Sequence, residues 1–187
     1  MQRQEKEFQK RVTNVEKAKH IGYYLLFCSF ILNFAERIKT WNQMSYTYKY
    51  PHPAVTTDCV IFGHDGNQLN VLLIQRGNEP YKDCWAFPGG FLNIDESAEE
   101  GALRELKEET GLEGVTLHQF HAFTDPLRDP RERVISIAYY GVMDICEVKG
   151  DDDAKDARWF PIDNLPPLAF DHDKMLALAL KALQDER

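Results

Sequence analysis

"GGFLNIDESAEEGALRELKEETGL", residues Gly89 to Leu112, decides how this chain is read. Seven acids (Asp95, Glu96, Glu99, Glu100, Glu105, Glu108 and Glu109) stand against two bases, Arg104 and Lys107. Ser97-Ala98-Glu99-Glu100 has the form of a capping box and Gly111 that of a terminator. The spacing therefore predicts a helix from about Ser97 to Thr110. At roughly 100° per residue, Glu105 and Glu109 fall about 40° apart with Glu108 beside them. Ala102, Leu103, Leu106 and Thr110 form the adjoining arc, which must face a core. Three carboxylates thus crowd the edge of the buried face, and like charges at this spacing repel by roughly 0.2–0.5 kcal/mol per pair. Lys107, Glu100 and Arg104 point elsewhere, and no base of the helix is expected to reach all three. A solvated acidic helix is the plain reading of such a run. The alternative is an external hard cation such as Mg²⁺, which takes oxygen ligands and keeps sites for phosphate oxygens. The preceding Pro88-Gly89-Gly90 turn can bring a backbone carbonyl to the same ion.

Working outward, "TTDCVIFG" and "LNVLLIQRG" flank the polar turn "HDGNQ" and read as a hairpin. "CWAFPGGF" reads as a short strand ending in the Pro-Gly-Gly turn. "VTLHQFHAF" and "RVISIAYYGVMDI" read as two further strands, the second apolar on both faces and therefore central. "ARWFPI" is a last strand, and Asp171 to Gln184 an amphipathic closing helix. The pattern is a mixed α+β domain over residues 44–187. Residues 1–43 are a separate extension. Its run "IGYYLLFCSFILNFA", Ile21 to Ala35, is shorter than the roughly 20 residues that span a bilayer. Three readings of it stand: a start codon placed upstream of Met44, a membrane anchor or uncleaved signal, and a helix packed on the domain.

The charge is uneven. Residues 1–43 hold eight of the 22 Lys/Arg and four of the 30 Asp/Glu, leaving the rest at fourteen against twenty-six. So acidic a domain is a poor generic binder of nucleic acid, and a cation is the natural mediator of any phosphate chemistry. Cys28, Cys59, Cys84 and Cys146 show no CxxC and no zinc spacing, which fits free thiols in a reducing, cytoplasmic setting.

Gly90, five residues, Glu96, seven residues and then "RELKEETGL" from Arg104 to Leu112 match every fixed position of the Nudix box. The chain resembles a Nudix hydrolase over about residues 44–187. The resemblance implies a mixed β-sheet sandwiched between α-helices, with the box as loop, helix and loop. It implies Glu105 and Glu109 as principal metal ligands, Glu108 assisting, and the Gly89 carbonyl as a further ligand. Arg104 and Glu96 would pair to hold the loop and orient Glu105. The metal would be Mg²⁺, with Mn²⁺ as an alternative. The general base would be a box glutamate or a later acid, for which Glu147 and Asp151 to Asp153 qualify; "KGDDDAKD" is equally a solvated turn.

Outside the box, "WAFPGGF", "TDPLRDPRERVIS" and "LAFDH" resemble the ADP-ribose pyrophosphatase branch. "LAFDH" is also similar to the Nudix domains of regulators of nicotinamide and sugar metabolism. Arg128 and Arg131 are candidate forks for phosphate or ribose oxygens, against a solvated loop with Asp129 and Glu132. Phe87 or Phe170 would stack an adenine, against a place in the core, and Trp85 carries the same ambiguity. His172 either contacts ligand or simply opens the last helix. His118 and His121, three apart on a strand, are expected on opposite faces.

The implied reaction splits ADP-ribose into AMP and ribose 5-phosphate. NADH, another ADP-sugar or a nucleoside triphosphate are alternative substrates, and a non-catalytic nucleotide-sugar sensor is the alternative of another class. Those sensors carry a winged helix after the Nudix domain, and none is expected in the few residues after the closing helix. The partner is thus a nucleoside diphosphate-linked small molecule, not nucleic acid, and a membrane only if residues 21–35 are an anchor. Nudix relatives often form homodimers, though no interface signature is readable.

Overall fold

The computed structural model describes residues 47–66, 68–150 and 154–185. The readings of residues 1–43 and of Asp151 to Asp153 lie outside them. A compact unit covers Pro51–Arg187. Its elements run β1 (Ala54–His64), β2 (Leu69–Arg76), β3 (Trp85–Ala86), β4 (Gly89–Phe91), α1 (Ala98–Thr110), β5 (His118–Phe123), β6 (Val134–Asp144), β7 (Ala154–Pro161) and α2 (His172–Asp185).

The hairpin of β1 and β2 forms as expected, with Phe62 opposite Val71 and His64 opposite Leu69. Along its other edge β1 runs parallel to β6 over its whole length, Ala54 facing Val134 and His64 facing Asp144. Near its start β1 instead meets β4, with Asp58 opposite Gly89 and Thr56 opposite Phe91. β1 therefore has two successive partners on one side, β4 then β2, and the sheet splits between them. The Gly-Gly pair predicted as a turn is the start of β4, because its backbone completes this second pairing. β2 continues to β3 and β7, and β5 borders β6. β6 is central between β1 and β5, which accounts for its two-sided apolar sequence.

Alternation along β1 sends its residues to two helices. Val60 and Phe62 join Val71, Leu73 and Phe87 against Met175, Leu176 and Ala179 of α2. Cys59 and Ile61 join Leu72 and Tyr139 against Ala102 and Leu106 of α1. The sheet is sandwiched between the two helices, as the resemblance implies. Leu103 is a correction: it is 36% exposed, whereas Gly101, Ala102, Leu106, Glu109 and Thr110 are buried. The helix is rotated so that a glutamate, not Leu103, completes the inward face.

A bulge between Gln119 and His121 also overturns the simple alternation of β5. His118 lies opposite Tyr140 and His121 opposite Ala138, two positions apart on β6, so the expected opposite facing does not follow.

Candidate active site

The capping box forms, with Ser97 Oγ accepting from the Glu100 N–H and the Glu100 carboxylate from the Ser97 N–H. Gly111 closes α1 with φ 75°, its N–H donating to the Lys107 carbonyl. Helix and loop are tied by Arg104. Its Nε and Nη2 donate to the two oxygens of Glu96 at 3.0 and 2.6 Å, and Nη2 also reaches the Phe91 carbonyl at 3.1 Å. The Arg104 hydrogen bonds hold the Glu96 carboxyl well below its usual range, at about 2.

The three box glutamates are not equivalent. Arg104 Nη1 donates to Glu105 at 2.7 Å and to Glu108 at 2.9 Å, so one base does reach two of them. This corrects the expectation that Arg104 points elsewhere, while no base of the helix reaches all three. Glu108 is exposed; Glu105 is partly buried, and that burial raises its carboxyl despite Arg104. Glu109 is 7% exposed. Its Oε2 accepts the Gly89 N–H at 2.9 Å, and it forms no ion pair among the described residues. Burial above all, with Glu105 and Asp58 adding repulsion, pushes its carboxyl up to about 8.

A cation fits this arrangement. A methyl group on Gly90 would lie 2.5 Å from the Glu105 carboxylate, so a larger residue there would push that carboxylate from its place beside β4. Among the described residues no three His, Cys, Asp or Glu side chains form a closed ligand set. Two carboxylates, with waters and phosphate oxygens completing the shell, is the manner in which Mg²⁺ is commonly held.

Glu105 and Glu109 line a cavity of about 400 Å³, together with Arg76, Phe91, Asp129, Arg131 and Phe170. That volume is in the range of small-molecule sites. Arg131 donates through Nε and Nη2 to Asp129 at 3.0 and 2.7 Å. Burial works to raise Asp129, but the Arg131 hydrogen bonds prevail and hold it low. Phe170 stands at the cavity wall.

Two predicted contacts, Arg128 and Phe87, line the cavity but are engaged by other parts of the fold. The Arg128 side chain is 4% exposed, and its fork is taken by Asp171, at 3.2 Å from Nε and 2.8 Å from Nη2. It touches the cavity but is committed to anchoring the loop on α2. Phe87 is 1% exposed and stacks on His172 at 5.2 Å, so its face is already covered. Trp85 packs edge-on against Phe160 beside the core and does not line the cavity. Glu147 is exposed and does not line the cavity either.

The sequence reading missed a buried polar group beneath the site. Asp58, 8% exposed within β1, accepts the Ser136 hydroxyl and lies 3.6 Å from His172 Nε2 and 4.0 Å from Arg128 Nη2. His172 Nδ1 accepts the Phe87 N–H at 3.0 Å, which assigns the ring proton to Nε2, facing Asp58. Burial lowers the His172 pKa, so the ring is held neutral. The signal was an acid inside the apolar run of β1. Arg76 was also missed. Its Nε donates to the Pro80 carbonyl at 2.9 Å and it makes no ion pair among the described residues. Burial first, then the nearby Arg131, lower its pKa.

The sequence matches the NUDIX domain family over residues 52–179. The ADP-ribose pyrophosphatase of Methanocaldococcus jannaschii is 45% identical over 129 residues, which cover 68% of this chain and 73% of that protein. The ADPR responsive transcriptional repressor NtrR of Acinetobacter baylyi is 33% identical over 142 residues, 73% of this chain but only 57% of the repressor. Among solved structures, the Nudix domain of Shewanella oneidensis NrtR complexed with ADP ribose superposes with a TM-score of 0.69 at 32% identity, covering 74% of this chain and 94% of that one. The chain belongs to the Nudix family, whose hydrolases generally use a divalent metal.

Proposed function

We propose that this Nudix protein is a metal-dependent pyrophosphohydrolase that splits ADP-ribose into AMP and ribose 5-phosphate. The observation that carries the reading is Glu109, a buried carboxylate without a cationic partner among the described residues, beside Glu105 on a cavity of ligand size. The similarity to an ADP-ribose pyrophosphatase and to a domain complexed with ADP ribose supports the substrate.

Glu105 and Glu109, with the Gly89 carbonyl, would hold Mg²⁺, or Mn²⁺ in its place; Glu108 assists from the exposed side. When bound, the cation supplies neutralisation of the diphosphate charge and Lewis-acid polarisation at phosphorus. Arg104, gripped by Glu96, keeps Glu105 aimed at the site. The Gly89 N–H fixes the rotamer of Glu109. Arg76, which makes no ion pair among the described residues, lines the same cavity and would meet the diphosphate there. The partner is a nucleoside diphosphate-linked small molecule. No helix among the described residues is long and apolar enough to cross a membrane, and Cys59, Cys84 and Cys146 are free thiols. The free thiols support a cytoplasmic setting.

The test is a metal-dependent panel of ADP-ribose, NADH, ADP-glucose and deoxynucleoside triphosphates, with products identified by mass spectrometry. Preferred cleavage of ADP-ribose to AMP and ribose 5-phosphate is the expected result. Tight ADP-ribose binding without cleavage would favour a sensor, a reading to which the similarity to the Acinetobacter baylyi repressor lends weight.

A further inference from the structure

The buried polar group beneath the site is connected to it through one short peptide segment. Phe87 and Pro88 join β3 to Gly89, the first residue of β4, and the segment is held from three other elements. The Phe87 N–H donates to His172 Nδ1 of α2 at 3.0 Å. The Pro88 carbonyl accepts the Cys59 N–H of β1 at 2.8 Å. The Gly89 N–H donates to Glu109 Oε2 of α1 at 2.9 Å. Three successive residues thus contact both helices and the strand between them. The segment also has no room to slide: a methyl group on Gly89 would lie 2.1 Å from the Thr57 carbonyl oxygen and 2.9 Å from Asp58 Oδ1.

A neutral histidine accepts at Nδ1 only when its ring proton is on Nε2. That side of the ring faces Asp58, whose Oδ1 lies 3.6 Å away and whose other oxygen accepts the Ser136 hydroxyl. A carboxylate beside Nε2 favours this tautomer and fixes the ring's orientation. The ring is stacked on that of Phe87, and the residue is 3% exposed. The preceding residue, Asp171, carries the pair with Arg128, which ties down the start of α2 next to the histidine. An imidazole set in this way is a rigid acceptor.

We infer that His172, set in its tautomer by Asp58, is a positioning residue: it holds the Phe87–Gly89 segment and, through the Gly89 N–H, keeps Glu109 in place on the cavity. It acts through the backbone, and it links α2 on one face of the sheet to a carboxylate of α1 on the other. The consequence for metal binding rests on the proposed role of Glu109. Outer partners that orient metal ligands change metal affinity by about 10–100-fold.

The experiment compares wild type, His172→Phe, His172→Asn and Leu180→Ala in the full chain, first without metal and then with Mn²⁺ as the probe. Leu180 packs on the core from the same helix but does not line the cavity, so its truncation reports loosening of α2 alone. Without metal, amide exchange followed by NMR should show the Gly89 N–H about tenfold less protected in His172→Phe, the scale of one lost acceptor. His172→Asn should restore part of that protection, and Leu180→Ala should retain it. Nitrogen NMR of the wild-type ring should place its proton on Nε2. Paramagnetic resonance titration should show Mn²⁺ binding at least about tenfold weaker in His172→Phe than in wild type. Wild-type Gly89 protection or wild-type Mn²⁺ affinity in His172→Phe would overturn the inference. So would an equal loss of protection in Leu180→Ala, or a ring proton on Nδ1. A wild type in which the exchange results hold but Mn²⁺ does not bind would defeat the proposed metal site and leave the positioning of Glu109 standing.

Discussion

The two walls of the cavity are built on opposite principles. The acidic wall is one continuous stretch, in which a loop and a helix joined by Arg104 hold Glu105 and Glu109. The rest of the lining gathers Arg76 from the end of β2, Asp129 and Arg131 from the loop before β6, and Phe170 from the turn before α2. The first is organised by local hydrogen bonds within a helix and its entry loop. The second exists only once three distant segments have been brought together. Charge differs as well: among the described residues Glu109 makes no ion pair, while elsewhere in the lining Arg131 is paired with Asp129 and Arg76 with no carboxylate. A perturbed acid and a perturbed base lining one cavity are the kind of groups that mark a candidate functional site.

The contrast can be broken from either side. The largest effect is expected where the assembled wall is anchored. Arg128→Ala leaves Asp171, whose side chain is only 11% exposed, without its partner, and breaking a buried pair in this way costs about 3–5 kcal/mol. Denaturant unfolding should show that loss, while Phe91→Leu should leave stability close to wild type. If Arg128→Ala unfolds like wild type and only substrate binding suffers, Arg128 is a ligand contact after all.

On the acidic wall, Glu109→Gln should keep the fold and lower kcat by at least about a hundredfold, the scale of losing one electrostatic stabiliser. Near-normal turnover would remove Glu109 from the metal site. Smaller is the effect of His172→Phe, which keeps a ring against Phe87 but leaves the Phe87 N–H buried without an acceptor. A stability loss of about 1–3 kcal/mol is expected. His172→Asn, which can present an oxygen near the Nδ1 position, should recover part of it; equal losses in both variants would argue that ring stacking and not the hydrogen bond matters.

The smallest effect is a pH dependence. Arg104 holds the folded-state pKa of Glu96 at about 2, below the roughly 4.3 of an unfolded chain. Its contribution is therefore fully present above the unfolded value and is lost as pH falls through about 2. The stability gap between wild type and Glu96→Gln should be constant near neutrality and close through that acid window. A gap that stays constant down to pH 2 would mean that the pair with Arg104 is not its source.

The acidic helix was legible because capping, periodicity and charge crowding all act over a few residues. Ser97 and Gly111 bound it as read, and Glu109 proved the most deeply buried of the three acids. What that reading lacked was a contact between neighbours around the helix, since Arg104 turns toward Glu105 and Glu108 and leaves Glu109 alone. Outside the helix, side-chain roles were harder to read. Arg128 and Arg131 lie three residues apart in one loop, yet one is buried against Asp171 and the other stands in the cavity. Nothing local distinguishes them, because the difference depends on where α2 packs.

Asp58 makes the same point within a strand. Its place in an apolar run marks it as unusual, but its partners Ser136 and His172 come from β6 and α2. By itself the sequence determined most of the elements, the box helix and the crowding of its acids, since these follow from interactions between residues close along the chain. Only the tertiary structure decided which arginine is anchored on Asp171 and which is paired with Asp129, and which aromatic is packed in the core and which stands at the cavity wall. Burial and pairing of a long side chain depend on what other segments bring to it, and those segments lie tens of residues away.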